Sequence, residues 1–331
     1  MRALQLTRPR HFEWIPLSEA VAPKPGEALV AIRAIGICGT DISGYLGKMP
    51  FIEFPRILGH ELGVEVLAVG EQVTHLKPGD RCSVEPYLNC GHCHACKKGL
   101  TNCCESLSVL GVHCDGGMRE RMVLPAHKLH PCNALEFGQL ALVETLAIGC
   151  HAVNRAALSE EDDVLIIGAG PIGLTVLEFA RLATRRITVL ELSANRRAFV
   201  QQYYPGISVV ASLPDEPMAQ VVFDATGNAH SMAQALRLAR FTGRIVYVGI
   251  TKEPVLLDDP LLHRRELTLL ASRNAVSSDF PRILDLMHSG RIDTLPWISH
   301  ARPWEELPAL LEDLTRPDVN AIKAVALLSK D

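Results

Sequence analysis

The segment that most constrains the fold runs from residue 164 to residue 191. An apolar run at 164–167 is followed by a glycine-rich turn, a helical run over 174–182 and a second apolar run over 187–190. The turn reads Gly168-Ala169-Gly170-Pro171-Ile172-Gly173. Glycines at this spacing allow a tight turn, let the backbone approach a pyrophosphate and let the helix pack closely on the strand. Because the free N–H groups of a helix N-terminus favour an anion, the segment predicts the first βαβ unit of a dinucleotide-binding domain, with this turn against the coenzyme.

An acidic residue ends the second strand of this unit. Glu191 follows the glycine-rich turn by about twenty residues, the distance at which a carboxylate accepts hydrogen bonds from the ribose hydroxyls of a dinucleotide. A carboxylate there would repel the 2′-phosphate of NADP, so the sequence favours NAD. Arg196 and Arg197 lie nearby and weaken this preference, and Arg196 is a candidate coenzyme contact.

The alternation of strand and helix continues beyond this unit. Further apolar runs lie at 209–210, 221–224 and 245–248, with a helical run over 231–240 between the last two. This alternation predicts a doubly wound parallel sheet, in which ligands bind at the carboxyl ends of the strands. The residues predicted at those ends, and therefore further candidates for coenzyme binding, are Thr226, Gly227, Val248 and Gly249.

Four cysteines before this domain are spaced as metal ligands. Cys90, Cys93, Cys96 and Cys104 stand at intervals of three, three and eight. Five of the ten cysteines lie in this region, and because we expect a chain without an export signal, this favours a metal over disulfides. A closed four-thiolate site is typical of structural zinc. The alternatives are unpaired reactive thiols, a redox pair, competition from the adjacent Cys103, or a nucleic-acid-binding zinc ribbon, for which the region lacks a basic surface.

A second set of metal-ligating residue types lies nearer the start of the chain. Cys38 is part of Gly36-Ile37-Cys38-Gly39-Thr40-Asp41, and His60 and Glu61 follow Gly59. Thiolate, imidazole and carboxylate groups are ligands that Zn²⁺ selects, and a catalytic zinc uses few of them so that one position stays open. Glu144 is the one carboxylate in an apolar helical segment over 140–147, where burial without a partner would be costly. It is therefore a candidate metal ligand or a hydrogen-bonded neighbour of one, the alternative being a solvent-facing position on an amphipathic helix.

Composition and charge limit the other functions. The formal net charge of −4 gives no electrostatic case for binding nucleic acid or an anionic membrane surface, and no apolar run is long enough to span a bilayer. We therefore expect a soluble cytoplasmic protein. We expect a β-rich catalytic domain over 1–145 with the cysteine lobe at about 88–106, a dinucleotide-binding domain over 146–275, and a tail over 276–331 that rejoins the first domain.

Together and in this order, these motifs resemble those of the zinc-containing medium-chain dehydrogenases, which include alcohol, sorbitol and threonine dehydrogenases. Asp115-Gly116-Gly117 and Asp224-Ala225-Thr226-Gly227 complete the set, and the resemblance covers nearly the whole chain. It implies an α/β fold with a Rossmann domain that binds NAD and a GroES-like catalytic domain that carries a zinc lobe. It also implies a dehydrogenase that forms a homodimer or homotetramer and acts on a small alcohol.

The resemblance implies roles for individual residues. A catalytic Zn²⁺ would be held by Cys38, His60, Glu61 and Glu144, and a structural Zn²⁺ by the four cysteines of the lobe. The two carboxylates would exchange with water or substrate. Thr40 would pass the substrate proton on, and Ser43 occupies the place of the histidine that ends this relay in alcohol dehydrogenases. A carboxylate at Glu144, where alcohol dehydrogenases have a third thiolate, resembles the polyol and sugar-acid branch.

The substrate is predicted from weaker features. The segments 55–58 and 272–275 resemble bacterial dehydrogenases that act on sugar acids such as galactonate. Arg119 and Arg273 could bind a carboxylate through bidentate hydrogen bonds, unless they are surface or coenzyme-contacting arginines. The other candidate substrate residues are Ser43, Tyr45, Phe51, Tyr87 and Asn274. The alternatives to a sugar-acid dehydrogenase are a neutral polyol or amino-alcohol dehydrogenase with the same chemistry, and a non-catalytic sensor or scaffold that binds zinc and NAD.

Overall fold

The computed structural model describes residues 1–19, 21–213, 216–316 and 318–329. In chain order its strands are β1 (Arg2–Arg8), β2 (His11–Pro16), β3 (Glu27–Ile37), β4 (Arg56–Ile57), β5 (Glu61–Val69), β6 (Arg81–Val84), β7 (Tyr87–Leu88), β8 (Ser108–Val109), β9 (Arg121–Pro125), β10 (Leu129–Pro131), β11 (Val164–Ile167), β12 (Ile187–Leu190), β13 (Ser208–Val210), β14 (Ala219–Asp224), β15 (Ala239–Tyr247), β16 (Thr268–Ala271), β17 (Ile298–Pro303) and β18 (Lys323–Leu327). Its helices are α1 (Gly39–Tyr45), α2 (His94–Lys97), α3 (Phe137–Ala156), α4 (Pro171–Ala180), α5 (Ala194–Tyr203), α6 (Ala229–Leu238), α7 (Asp259–Arg264), α8 (Asp279–His288) and α9 (Leu307–Asp313).

The chain divides into two compact units. The first comprises Met1–Glu144 and Val276–Asp331, and the second comprises Thr145–Ala275. Among the described residues, the helices are all too short or too polar to cross a bilayer.

The first unit is built on a β-sheet that combines distant parts of the chain. Its strand order is β10-β6-β5-β3-β18-β17, with β9 also paired to β3, and a smaller sheet has the order β2-β1-β4. β18 runs antiparallel to β3, with Ala324 opposite Ile37, and β5 pairs with the other edge of β3, with Glu61 opposite Gly36. These pairings bring the ends of β3, β5 and β18 to one place. The apolar residues of these strands pack in one core that also includes Trp304, Leu307 and Leu310.

The second unit contains a parallel sheet of the order β13-β12-β11-β14-β15-β16. All of its neighbouring strands are parallel, and the order reverses between β11 and β14, as it does in dinucleotide-binding sheets. The predicted fold class, a doubly wound Rossmann sheet together with a β-rich domain, is confirmed. The strand predicted at 187–190 has the expected limits.

Two predicted helices in the second unit are displaced by their capping residues. The helix expected at 174–182 begins at Pro171, because Gly170 is its N-cap and proline suits the first helical turn. The helix expected at 231–240 begins at Ala229, because the side chain of Asn228 accepts a hydrogen bond from the backbone N–H of Ser231, 3.0 Å away.

Candidate active site

Three of the predicted metal ligands converge in the first unit. Cys38 is the N-cap of α1, directly after β3, while His60 precedes β5 and Glu61 begins it. Each offers one ligand atom, and these atoms lie within 4.8 Å of one another. His60 and Glu61 are buried and Cys38 is half-buried. One thiol, one imidazole and one carboxylate in a largely buried cluster fit a Zn²⁺ ion that keeps an open position.

A buried aspartate organises this cluster, and the sequence analysis did not identify it. Asp41 Oδ2 accepts a hydrogen bond from the backbone N–H of Cys38 at 2.9 Å, and Oδ1 accepts one from Gly59 at 3.3 Å. The same Oδ1 lies 3.9 Å from Nδ1 of His60. Asp41 thus holds the turn that carries the thiol and the loop that carries the imidazole. The signal in the sequence is an acidic residue three positions after the helix N-cap.

Lys323 is the second residue that sequence reasoning missed. Its Nζ lies 2.5 Å from Oε1 of Glu61, and both side chains are almost completely buried. The glycine opposite Glu61 makes room for the carboxylate, because a Cβ at Gly36 would lie 2.3 Å from Glu61 Oε2. The lone lysine in the apolar run Ile322 to Leu328 was the available signal, since a buried ammonium requires a partner.

Glu144 lies beside the cluster. It is not among the three residues whose ligand atoms all lie within 4.8 Å of one another. Its Oε1 accepts a hydrogen bond from the hydroxyl of Tyr87, and both side chains are buried. Glu144 is therefore a buried, hydrogen-bonded carboxylate and does not face solvent, which was the alternative in the sequence analysis. The hydroxyl of Tyr87, a predicted substrate residue, is thus engaged by Glu144.

Burial and mutual interaction shift the pKa values in this cluster. Burial alone would lower the pKa of His60, but Asp41, Cys38 and Glu144 raise it well above the usual value for histidine. Burial raises the pKa of Glu144, an effect that His60 partly offsets. The groups around the imidazole therefore favour positive charge at this place. That preference, together with the ligand types, fits a bound divalent cation.

The four cysteines of the lobe also come together. The Sγ atoms of Cys90, Cys93, Cys96 and Cys104 lie within 4.8 Å of one another. Hydrogen bonds from the backbone N–H groups of Cys96 and Glu105 lower the pKa of Cys93 to about 6, and similar bonds lower the pKa of Cys104. Burial, together with Cys93, raises the pKa of Cys96 to about 11. Cys93 and Cys104 therefore favour the thiolate, the form that binds zinc, without a metal, and Cys96 would become a thiolate on binding the cation. The described residues that form this cluster do not include Cys103, whose side chain is exposed.

The glycine-rich turn of the second unit has the geometry that a dinucleotide requires. Gly168 has φ +95, and a Cβ at Gly173 would lie 1.8 Å from the carbonyl oxygen of Gly168. Glu191 is buried beside the turn, where its two oxygens accept backbone N–H groups of Ala169 and Ser193, each at 2.7 Å. Nη1 of Arg196 lies 3.9 Å from Oε2 of Glu191. The carboxylate of Glu191 and the guanidinium of Arg196 thus lie at the edge of the turn.

The loop after β14 is stabilised by a buried aspartate. Asp224 Oδ1 accepts hydrogen bonds from the backbone N–H and the hydroxyl of Thr226, at 2.9 and 2.7 Å, and Oδ2 accepts one from the hydroxyl of Ser231. Gly227 follows with φ +63, close to the backbone of Ile250. The residues predicted at the carboxyl ends of β14 and β15 therefore lie together.

The predicted substrate residues have different environments. Tyr45 corrects the sequence interpretation most clearly, because it is a core residue of the first unit that stacks on Phe12 at a ring distance of 5.5 Å. Phe51 is 53% exposed and Ser43 is half-buried. Arg119 donates from Nε to the carbonyl oxygen of Gly116 at 2.8 Å, so it holds the loop that follows Asp115.

The two other candidates, Arg273 and Asn274, lie in the second unit. Arg273 is exposed, and Asn274 has φ +49, a left-handed conformation that asparagine tolerates better than most residues.

Comparison with known proteins agrees with the fold. Residues 24–134 match the family model of the alcohol dehydrogenase GroES-like domain, and residues 171–289 match that of the zinc-binding dehydrogenases. L-Galactonate-5-dehydrogenase of Escherichia coli K12 is 37% identical over 322 residues, which cover 94% of this chain and 94% of the relative. The chain belongs to the zinc-containing medium-chain dehydrogenase family. It is therefore an oxidoreductase of the alcohol dehydrogenase type.

Solved structures show the same fold bound to nicotinamide coenzymes. An alcohol dehydrogenase from E. coli CFT073, solved with NADH, has a TM-score of 0.91 and 27% identity and covers 99% of both chains. A zinc-binding dehydrogenase from Sinorhizobium meliloti, solved with NADP, has a TM-score of 0.87 and 27% identity and covers 98% of both chains. A nicotinamide dinucleotide is thus bound by relatives of this chain in both its phosphorylated and its unphosphorylated form.

Proposed function

We propose that this dehydrogenase uses zinc and NAD to interconvert a secondary alcohol and a ketone on a sugar acid. The observation that carries the proposal is the cluster of Cys38, His60 and Glu61, with Thr40 two residues after the thiol in the first turn of α1. A zinc-binding sensor or scaffold would not need a hydroxyl so close to an open metal position.

Each residue in and around the cluster would have its own role in the reaction. Zinc bound there would act as a Lewis acid that lowers the pKa of the substrate hydroxyl. The hydroxyl of Thr40 would accept the proton that the substrate releases. Asp41 would keep His60 in place by accepting the hydrogen bond from the backbone N–H of Gly59, the residue before it. Glu144, held by Tyr87, would supply a nearby carboxylate that eases exchange between water and substrate.

The coenzyme that we propose is NAD. The support is Glu191, whose buried carboxylate lies beside Ala169 in the glycine-rich turn and would repel a 2′-phosphate. Arg196 is the opposing feature, because its guanidinium is 42% exposed and could bind a phosphate.

The substrate class that we propose is a sugar acid. Its support is the similarity to an L-galactonate dehydrogenase over most of both chains, together with the acidic residue Glu144 in place of a third thiolate. A neutral polyol is the second candidate, because a polyol hydroxyl would meet the same three ligands. Comparing aldonic acids with hexitols as substrates separates the two.

The metal role is tested by Cys38→Ser, with Cys82→Ser as the matched control, since Cys82 is a buried thiol outside both clusters. Cys38→Ser should lose the catalytic zinc and turnover, and it should still bind NAD in a fluorescence titration. The control should keep two zinc ions per chain and its activity. Turnover by Cys38→Ser at the rate of the control would refute the metal role.

We further propose that the enzyme is cytoplasmic and oligomeric. All ten cysteines are free thiols, which suits a reducing compartment. β16 ends the parallel sheet of the second unit, and an edge strand can pair with a second copy of the chain. Light scattering would test this association, and a monomer at micromolar concentration would contradict it.

A further inference from the structure

A buried charged group lies outside the two metal clusters, in the first unit. The ammonium of Lys128 donates to Oε1 of Glu85, and His130 Nε2 lies 3.4 Å from Oε2 of the same carboxylate. Lys128 is 2% exposed and Glu85 is fully buried. The backbone also joins them, because the N–H of Glu85 donates to the carbonyl oxygen of Lys128 at 2.8 Å. Lys128 and Glu85 are therefore joined by both side-chain and backbone hydrogen bonds, and Glu85 lies five residues before the first cysteine of the lobe.

Lys128 makes a second hydrogen bond that reaches toward the lobe. Its Nζ lies 2.9 Å from Oδ1 of Asn89, and Nδ2 of the same side chain lies 3.7 Å from Sγ of Cys96. An ammonium can only donate hydrogen bonds, so the amide oxygen of Asn89 must face Lys128. The amide N–H group must then face the sulfur. Lys128 therefore orients the amide of Asn89 so that its Nδ2 faces Sγ of Cys96.

An N–H donor at Cys96 has a defined effect if the lobe holds zinc. Four thiolates and one Zn²⁺ leave two net negative charges on the sulfurs, and a hydrogen bond to one sulfur withdraws part of that charge. Such contacts also orient the ligand, and their loss commonly weakens metal binding. Two other sulfurs receive backbone donors, Cys104 from the N–H of Cys90 at 3.3 Å and Cys93 from the N–H of Cys96 at 3.5 Å.

We propose that Asn89, oriented by Lys128, is a positioning residue that retains zinc in the four-cysteine lobe. The inference rests on the proposed structural zinc site. It assigns Glu85 the task of holding the ammonium of Lys128 in place. It also explains why a lysine is buried at this position, with both of its described partners in the segment that leads to Cys90.

The test compares Asn89→Asp with Asn133→Asp. The first variant keeps the shape of the side chain and an oxygen for Lys128, but it replaces the N–H group at Cys96 with a carboxylate oxygen. The second makes the same chemical change in the same unit, where the amide of Asn133 donates to Asp80. Asn89→Ala provides a variant that loses the N–H group without adding a charge.

The readout is the rate at which a chelator removes zinc from the purified enzyme, with protection of the lobe cysteines from alkylation assigning each zinc to its site. We expect release from the lobe to be about 10- to 100-fold faster in both Asn89 variants and unchanged in the control. In protein whose lobe holds Co²⁺, the thiolate-to-metal charge-transfer band should move to lower energy in the Asn89 variants. Equal release rates and an unchanged band would overturn the inference, whereas wild-type protein whose lobe cysteines are alkylated as fast as Cys103 would refute the zinc lobe itself.

Discussion

Replacing Lys323 with methionine removes the one ammonium that contacts Glu61 in the described structure. The two charged atoms are 2.5 Å apart, and the side chains are 2% and 1% exposed. At an effective dielectric constant of about 20, this distance corresponds to a gross attraction of about 7 kcal/mol, most of which is offset by the cost of burying both charges. Loss of the ammonium removes this attraction, whereas the cost of burying the carboxylate remains. We therefore expect Lys323→Met to destabilise the protein by about 3–5 kcal/mol.

A matched control is available in the same sheet. Arg33 Nε lies 2.9 Å from Glu65 Oε2, and both of these side chains are 16% exposed. Because water reaches this pair more than it reaches Lys323 and Glu61, Arg33→Met should destabilise the protein less than Lys323→Met. Urea unfolding of both variants, followed by circular dichroism at equal zinc content, measures the difference. A loss for Lys323→Met no larger than that for Arg33→Met would refute the assignment of Lys323 as the charge partner of Glu61.

Three further results are expected. Glu191→Ala should lower kcat/KM for NAD by at least about tenfold, because the 2′-hydroxyl of its ribose loses a hydrogen-bond acceptor. The value for NADP should not fall, because the variant also lacks the carboxylate that would repel the 2′-phosphate; equal losses with both coenzymes would contradict this. Brief alkylation at pH 8 followed by mass spectrometry should label the exposed Cys103 and spare Cys82, whose pKa burial raises to about 12; labelling of Cys82 first would contradict the structure. Replacing Arg119 or Arg273 with alanine should raise KM for an aldonic acid more than for a neutral polyol, and equal changes at both positions would remove the arginines from substrate recognition.

Features set by local spacing were predictable from the sequence. The glycine-rich turn, the acidic residue after the second strand and the four cysteines depend on residues close together in the chain, and the structure brings each set together. The residue types of Cys38, His60 and Glu61 alone predicted a shared metal site only weakly. The accompanying motifs made that prediction specific. Its physical basis is the pairing of β3 with β5, which places Glu61 opposite Gly36.

Features that depend on distant contacts were not predictable. Lys323 and Glu61 are 262 positions apart, and only the insertion of β18 beside β3 brings them together. The contacts of Tyr87 with Glu144 and of Lys128 with Asn89 likewise join segments whose pairing the sequence does not encode locally. Tyr45 was misread because an aromatic residue near a ligand motif can equally pack in the core.

The measurement that tests the central claim most directly is NAD reduction by the zinc-loaded enzyme, followed by absorbance across aldonic acids, hexitols, short alcohols and threonine. It should be repeated after a chelator has removed the zinc and again after Zn²⁺ has been restored. We predict turnover of an aldonic acid that disappears with the metal and returns with it, while Cys38→Ser stays inactive throughout. Undiminished turnover by the zinc-free enzyme would contradict the claim that Cys38, His60 and Glu61 form the catalytic metal site.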